Sequence, residues 1–187
     1  MLARAILAAL LLPLLLVGED SPALHSIRIE TSLKTWLKLK ENCGGNYSYT
    51  HHWSSFTGHG HRTTIIVLNN KVTERSFESF SGHPPLSPSP GKPTAPPKGN
   101  AWTETGKAIG THEQGHPPKT LDQLYEEAAA ILGKPRPTFK RLSLRFDKRG
   151  LLLACYVRDL RIADDAPTHG VNITKIEIGQ RPQKPNP

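Results

Sequence analysis

Seven prolines fall between residues 82 and 100, in the run GHPPLSPSPGKPTAPPKGN. Each one lacks a backbone N–H and fixes its own φ, so the run can supply neither a sheet ladder nor a helical turn. The patterned sequence is therefore cut in two, and a common core must be assembled from the block before the prolines and the block after them. The 187 residues divide accordingly. A leader covers 1–23, a first half-domain 24–80, an exposed Pro/Gly-rich loop 81–118 and a second half-domain 119–179. Residues 180–187 form a tail with no packing signal.

The leader predicts export. Arg4 precedes an uncharged apolar run over residues 5–17, and the pattern of one early cation before a short apolar core is that of a secretory signal. The run falls short of the ~20 residues that cross a bilayer. Gly18 and Ala23 are the small residues available for cleavage, neither in a clean A-x-A pattern. No later segment is apolar enough to span, so the mature chain is expected to be secreted or periplasmic with no membrane span. In an oxidising compartment an even cysteine count predicts a bridge between Cys43 and Cys155. It would close a loop of about 110 residues and contribute up to ~4–5 kcal/mol in the chain-entropy model. No C-x-x-C is present, which argues against a redox or zinc role for these cysteines.

Hydrophobic periodicity sets the elements. Residues 25–30 (HSIRIE) alternate as a short strand. Thr31 or Ser32 then caps a helix carrying Leu33, Trp36, Leu37 and Lys40 on one stripe, stopped by Asn42, Gly44 and Gly45. Tyr47, Tyr49 and Trp53 share one strand face, and TTIIVL (63–68) is a second strand. Asn69-Asn70 suits the positive φ of a tight hairpin into KVTERSFESF (71–80). Within the long loop, Trp102 and Ile109 are candidates to pin residues 101–118 to the domain. Thr120 and Gln123 make a capping box for a helix with the stripe Leu121, Leu124, Tyr125, Ala128, Ile131 and Leu132, ended by Gly133 and Pro135. Leu142, Leu144 and Phe146 alternate, 147–150 turns, 151–157 returns as a central strand, and 171–178 is the last strand. The fold class is α+β: an antiparallel β-sheet with two main helices on one face, in the order α-β-β-β-(long loop)-α-β-β-β.

The Trp36 helix, the YSYT strand (47–50), the TLDQLY helix (120–125) and the later FD…G…L strand–turn–strand with Asp164-Asp165 resemble a family of small exported bacterial proteins, a domain of unknown function. The resemblance covers about residues 31–80 and 119–178. It implies a helix-plus-antiparallel-sheet layout and brings no activity or catalytic residue; the proline-rich insertion departs from the pattern.

Three chemistries remain to be weighed. His51, His52, His59 and His61 cluster around the first hairpin, and imidazoles bind Zn²⁺ or Cu²⁺; periplasmic metal binding is one alternative function. Asp159, Asp164, Asp165 and His169 share a loop whose carboxylates offer oxygen ligands to Ca²⁺, without EF-hand spacing. An unrecognised hydrolase using Asp147, Asp159 and His169, with Glu177 as a further carboxylate, is the other alternative. No G-x-S-x-G, Walker A or G-x-G-x-x-G motif is present, so no cofactor is implied. Asn46-Tyr47-Ser48 and Asn172-Ile173-Thr174 are glycosylation sequons that matter only in a host that modifies them. The net charge is +8, with basic residues running from Lys134 to Arg149. An exported, non-catalytic domain follows as the main reading, binding a protein, glycan or envelope polymer. Its partner is an extracytoplasmic protein or an anionic polymer rather than nucleic acid.

Overall fold

The computed structural model describes residues 21–55, 58–81, 100–162 and 168–179. The leader over 1–20, the prolines of 82–99, Asp164 and Asp165, and the tail from 180 lie outside the described residues, so the expectations made for them do too. The elements are α1 (Pro22–Asn42), β1 (Tyr47–Ser54), β2 (His59–Leu68), β3 (Lys71–Ser81), β4 (Ala101–Thr105), a 3-10 turn (Gly106–Ala108), α2 (Leu121–Leu132), β5 (Lys140–Phe146), β6 (Leu152–Asp159), β7 (His169–Asn172) and β8 (Lys175–Ile178). The α+β class and the order of helix, strands, helix, strands are as the sequence predicts. The strands form two antiparallel sheets, one ordered β4-β3-β2-β1-β8 and one ordered β5-β6-β7.

The expected strand at 25–30 is instead the start of α1. Ser21 caps the helix, its Oγ accepting from the Leu24 N–H at 3.2 Å, and Pro22 opens it. His25, Ile29, Ser32 and Trp36 are its buried residues, a 3.6-residue stripe. The alternation that suggested a strand would put Ile27 and Ile29 on one face, yet Ile27 is 58% exposed and Ile29 5%. Leu37, assigned to the apolar stripe, is also exposed.

The expected last strand breaks at Ile173-Thr174 and changes sheets: β7 pairs with β6, and β8 pairs with β1. The break stitches the sheets together, because the Ile173 N–H donates to the Leu153 carbonyl and the Thr174 N–H to the Thr50 carbonyl. The β2–β3 hairpin turns through Asn69 and Asn70, at φ 51° and 64°. Residues 100–118 are part of the domain rather than an exposed loop: β4 extends the large sheet, and Trp102 stacks on Phe77.

Between the sheets the helices bury a shared core. Trp36 meets Tyr47 edge to face at 4.8 Å. Leu121, Leu124, Tyr125 and Ala128 of α2 pack with Leu152, Cys155, Val171 and Ile173. Tyrosine hydroxyls seat α2: Tyr47 Oη accepts from the Leu121 N–H at 2.8 Å, and Tyr49 Oη donates to the Lys119 carbonyl at 2.7 Å. Tyr125 Oη bonds Ser32 Oγ at 2.7 Å and accepts from the Leu152 N–H at 3.0 Å. The capping box of Thr120 and Gln123 is formed.

The expected disulfide is not formed, and Cys43 and Cys155 are both free. Cys43 caps the C-terminus of α1, whereas Cys155 is buried in β6, the central strand of the three-stranded sheet, its Sγ 3.7 Å from the Ala128 carbonyl. Parity and compartment carry no information about distance. Burial pushes the Cys155 thiol up to about 11. We expect two free thiols per denatured, unreduced chain, and only Cys43 reactive with a thiol reagent in the folded state. In the same fold, Leu124→Ala should cost ~2–5 kcal/mol in denaturant unfolding by opening a cavity. Exposed Glu126→Ala should cost less than ~0.5 kcal/mol.

Candidate functional site

The four hairpin histidines do not converge. Register pairs His51 with Thr63, His52 with Arg62 and Trp53 with His61. Alternation therefore sends His52 to the opposite face from His51 and Trp53, where its ring lies 5.3 Å from Phe80; His59 is exposed. His51 and His61 stack at 5.8 Å, and the ring that joins them is His116, 5.0 Å from His51, from the segment after the prolines. Among the described residues no three His, Cys, Asp or Glu side chains are placed to hold a metal ion. Instead the imidazoles belong to a band of rings across the sheet. Trp53, His61, Phe77, Trp102 and His112 follow one another at 5.5, 5.4, 5.2 and 4.2 Å.

A buried ion pair straps residues 106–116 over this band. Arg75 and Glu104 are each 1% exposed. Arg75 donates to Glu104 Oε2 and to the carbonyls of His112, Gln114 and His116, and its guanidinium lies 4.7 Å from the Trp102 ring centre. Glu104 accepts from the N–H groups of Gly110 and His112, from Thr111 Oγ1, and bonds His112 Nδ1. With every strong donor and acceptor matched, the pair tolerates its burial. Burial alone would raise the Glu104 carboxyl, but these donors hold it well below the usual carboxylate range. Gly115 (φ +83°) passes so close to Thr63 and Phe77 that a Cβ would collide with both.

The candidate hydrolase residues are also separated. Asp147 sits in the β5–β6 turn and accepts from the N–H groups of Arg149 and Leu151. Asp159 ends β6, seven residues beyond Leu152, which places the two carboxylates roughly 20 Å apart at the rise of a strand. Glycosidase pairs sit ~5–9 Å apart. Asp159 is engaged by Arg161 through its N–H, Nε and Nη2, which hold its carboxyl down at about 2. Glu177 pairs with Lys175 at 2.8 Å.

Asp159 and His169 do line a common groove of about 400 Å³. Its walls are Ile131 at the end of α2, Pro135 and Pro137, Val157, and Ile162 beyond β6; its polar lining adds Lys134, Arg136 and Lys140. Next to His169 the packing is close: at Gly170 (φ +130°) a Cβ would strike the Cys155 carbonyl and the Ile131 side chain. Many cations elsewhere meet a carboxylate, including Lys40 with Asp122, Arg62 with Glu78, Lys119 with Glu127 and Arg149 with Asp147. Lys134, Arg136 and Lys140 have no ion pair among the described residues. Arg136 Nη1 is shielded from water and has no hydrogen-bond partner. The basic run 134–149 was visible in the sequence, but its convergence with His169 was not, because β7 is reached only through the loop after β6. No protein-family model matches the chain, and no curated protein or solved structure is similar to it.

The ring band generates an acid-stability prediction. His51 and His116 are each lowered to about 4. For His51 the causes are burial, then His116, His61 and His52. For His116 burial dominates; the Pro117 carbonyl opposes it, and Lys119 and Arg75 reinforce it. A histidine depressed in the folded state contributes stability that is present above its unfolded value of ~6.5 and lost as pH falls through that value toward 4. Glu104, also depressed, adds a second loss below the ordinary carboxylate range. We expect unfolding free energy to fall between pH 7 and pH 5, and His116→Gln to remove about 1–2 kcal/mol of that fall in urea titrations.

Proposed function

We propose that this chain is an exported, non-catalytic binding domain that holds an anionic polymer in the groove between the end of α2 and the β5-β6-β7 sheet. One observation carries the reading: three cations without ion pairs among the described residues converge on a groove whose acidic lining residue, Asp159, is already taken by Arg161. Arginine and lysine left unneutralised along a concave surface favour polyanions by charge-assisted hydrogen bonds and by counterion exchange. The chain without Arg4 of its leader still carries +7, which acts in the same direction at longer range.

Export rests on the leader. Of the two small residues available for cleavage, Gly18 is the one that keeps α1 whole, since cutting after Ala23 would delete the cap at Ser21 together with Pro22.

The test compares two variants of equal net charge. One replaces Lys134, Arg136 and Lys140 with glutamine; the other replaces Lys34, Lys38 and Lys148. Binding to polygalacturonate and to polyphosphate is followed at several salt concentrations. We expect the groove variant to bind about tenfold or more weakly, and the control variant to stay within about twofold of wild type. Equal losses in the two variants, or no polyanion binding by wild type, would contradict the reading.

A further inference from the structure

We propose that the groove is shaped for an oxyanion carried on a short aliphatic stem, a carboxylate or a phosphate monoester, with Arg136 as the principal ligand of the head group. This rests on the anion-binding reading of the same groove and adds the chemistry of the unit bound.

The lining is divided by chemistry. Lys134, Arg136, Lys140 and His169 supply donors, while Ile131, Pro135, Pro137, Val157 and Ile162 supply an aliphatic wall. A site for a bare inorganic anion needs only the first set. Ile162 stays 46% exposed although it lines the groove, with exposed Leu160 two residues before it. Apolar side chains left open beside unpaired cations fit a ligand that is apolar and anionic at adjoining positions, because each methylene buried on that wall adds to binding. The volume of about 400 Å³ lies within the range of small-ligand sites.

Backbone constraint points the same way. Gly133 ends α2, and the next residues run Lys134-Pro135-Arg136-Pro137. Both groove cations in this run precede a proline, so their backbone is confined to extended conformations and has little freedom left to lose on binding. Arg136 is the member with an unsatisfied shielded nitrogen. No hydrogen bond or ion pair among the described residues holds its guanidinium, and an oxyanion in the groove would meet this side chain in a planar, two-pronged geometry. Asp159 does not serve, since its oxygens accept from Arg161.

The full chain would be titrated with octanoate and octyl phosphate, and with acetate and inorganic phosphate as stemless counterparts. Calorimetry gives affinity and backbone amide shifts give location. We expect at least one octyl ligand to bind about tenfold or more tightly than its stemless counterpart, with shifts centred on residues 131–140, 157–162 and 168–170. Arg136→Gln should weaken that binding about tenfold, and Ile162→Ser should erase the preference for the stem, both at an unchanged melting temperature. No binding by either octyl ligand, equal affinity for stemmed and stemless anions, shifts centred elsewhere, or an Arg136→Gln variant that binds like wild type would each overturn the proposal. If stem preference fails while polygalacturonate or polyphosphate is still bound through the groove, the polymer reading stands alone; if groove-dependent polymer binding fails as well, both fall.

Discussion

The tyrosyl hydroxyls that seat α2 are the contacts on which the remaining geometry rests. Tyr47 takes the first free N–H of the helix at Leu121, Tyr49 holds the carbonyl of Lys119 just before it, and Tyr125 ties its middle to Ser32 of α1 and to the start of β6. Helix N-termini carry unsatisfied N–H groups, and burying them without acceptors is unfavourable. Here Tyr47 of the large sheet accepts one of them, Tyr49 of the same strand donates to the carbonyl just before the helix, and Tyr125 reaches α1 and β6, so a single set of bonds couples both sheets and both helices. Fixing the start of α2 also fixes its end. Ten residues later Ile131 lies against Gly170 of β7, and the chain that leaves at Gly133 forms one wall of the groove.

The chain disposes of its positive charge in two different ways. Arg75 is taken wholly out of water, yet each of its nitrogens finds an acceptor, and Glu104 finds four donor groups of its own. That satisfaction makes the pair a device for ordering a stretch with no long element of its own, residues 106–116, above the ring band. The groove cations have the opposite character: they are grouped, only partly shielded and form no ion pair among the described residues, since the one carboxylate in the groove, Asp159 across the ladder from Lys140, is bonded to Arg161. A fully matched charge organises the fold, whereas an unmatched group of charges on a concave surface is left to bind something else.

What could be read from the sequence follows the range of the interactions involved. The α2 helix was legible in full, because its capping box, apolar stripe and terminating Gly133 are local signals. So was the Asn69-Asn70 hairpin. The first strand was misread because six residues of HSIRIE satisfy a two-residue period as well as a helical one, and only burial of Ile29 without Ile27 separates them. The 171–178 segment has an unbroken strand pattern, but its switch between sheets depends on Thr174 reaching the Thr50 carbonyl, 124 residues away in sequence. The cysteine pairing failed for the same reason, as an even count is a local tally and distance is a global property. Of the site, Lys134, Arg136 and Lys140 stood out as basic residues, and Asp159 and His169 as polar ones. Their meeting in one groove, with Asp147 excluded, required the β5–β6–β7 order.

The central claim is that the groove beside Arg136 is where this protein takes a negative charge. Crystals of the chain soaked in selenate, an oxyanion visible by its anomalous scattering, test it by location alone. The account predicts the strongest anomalous peak within hydrogen-bond reach of Arg136, flanked by Lys134, Lys140 or His169. A groove without a peak, in crystals whose other basic surfaces bind selenate, would contradict it.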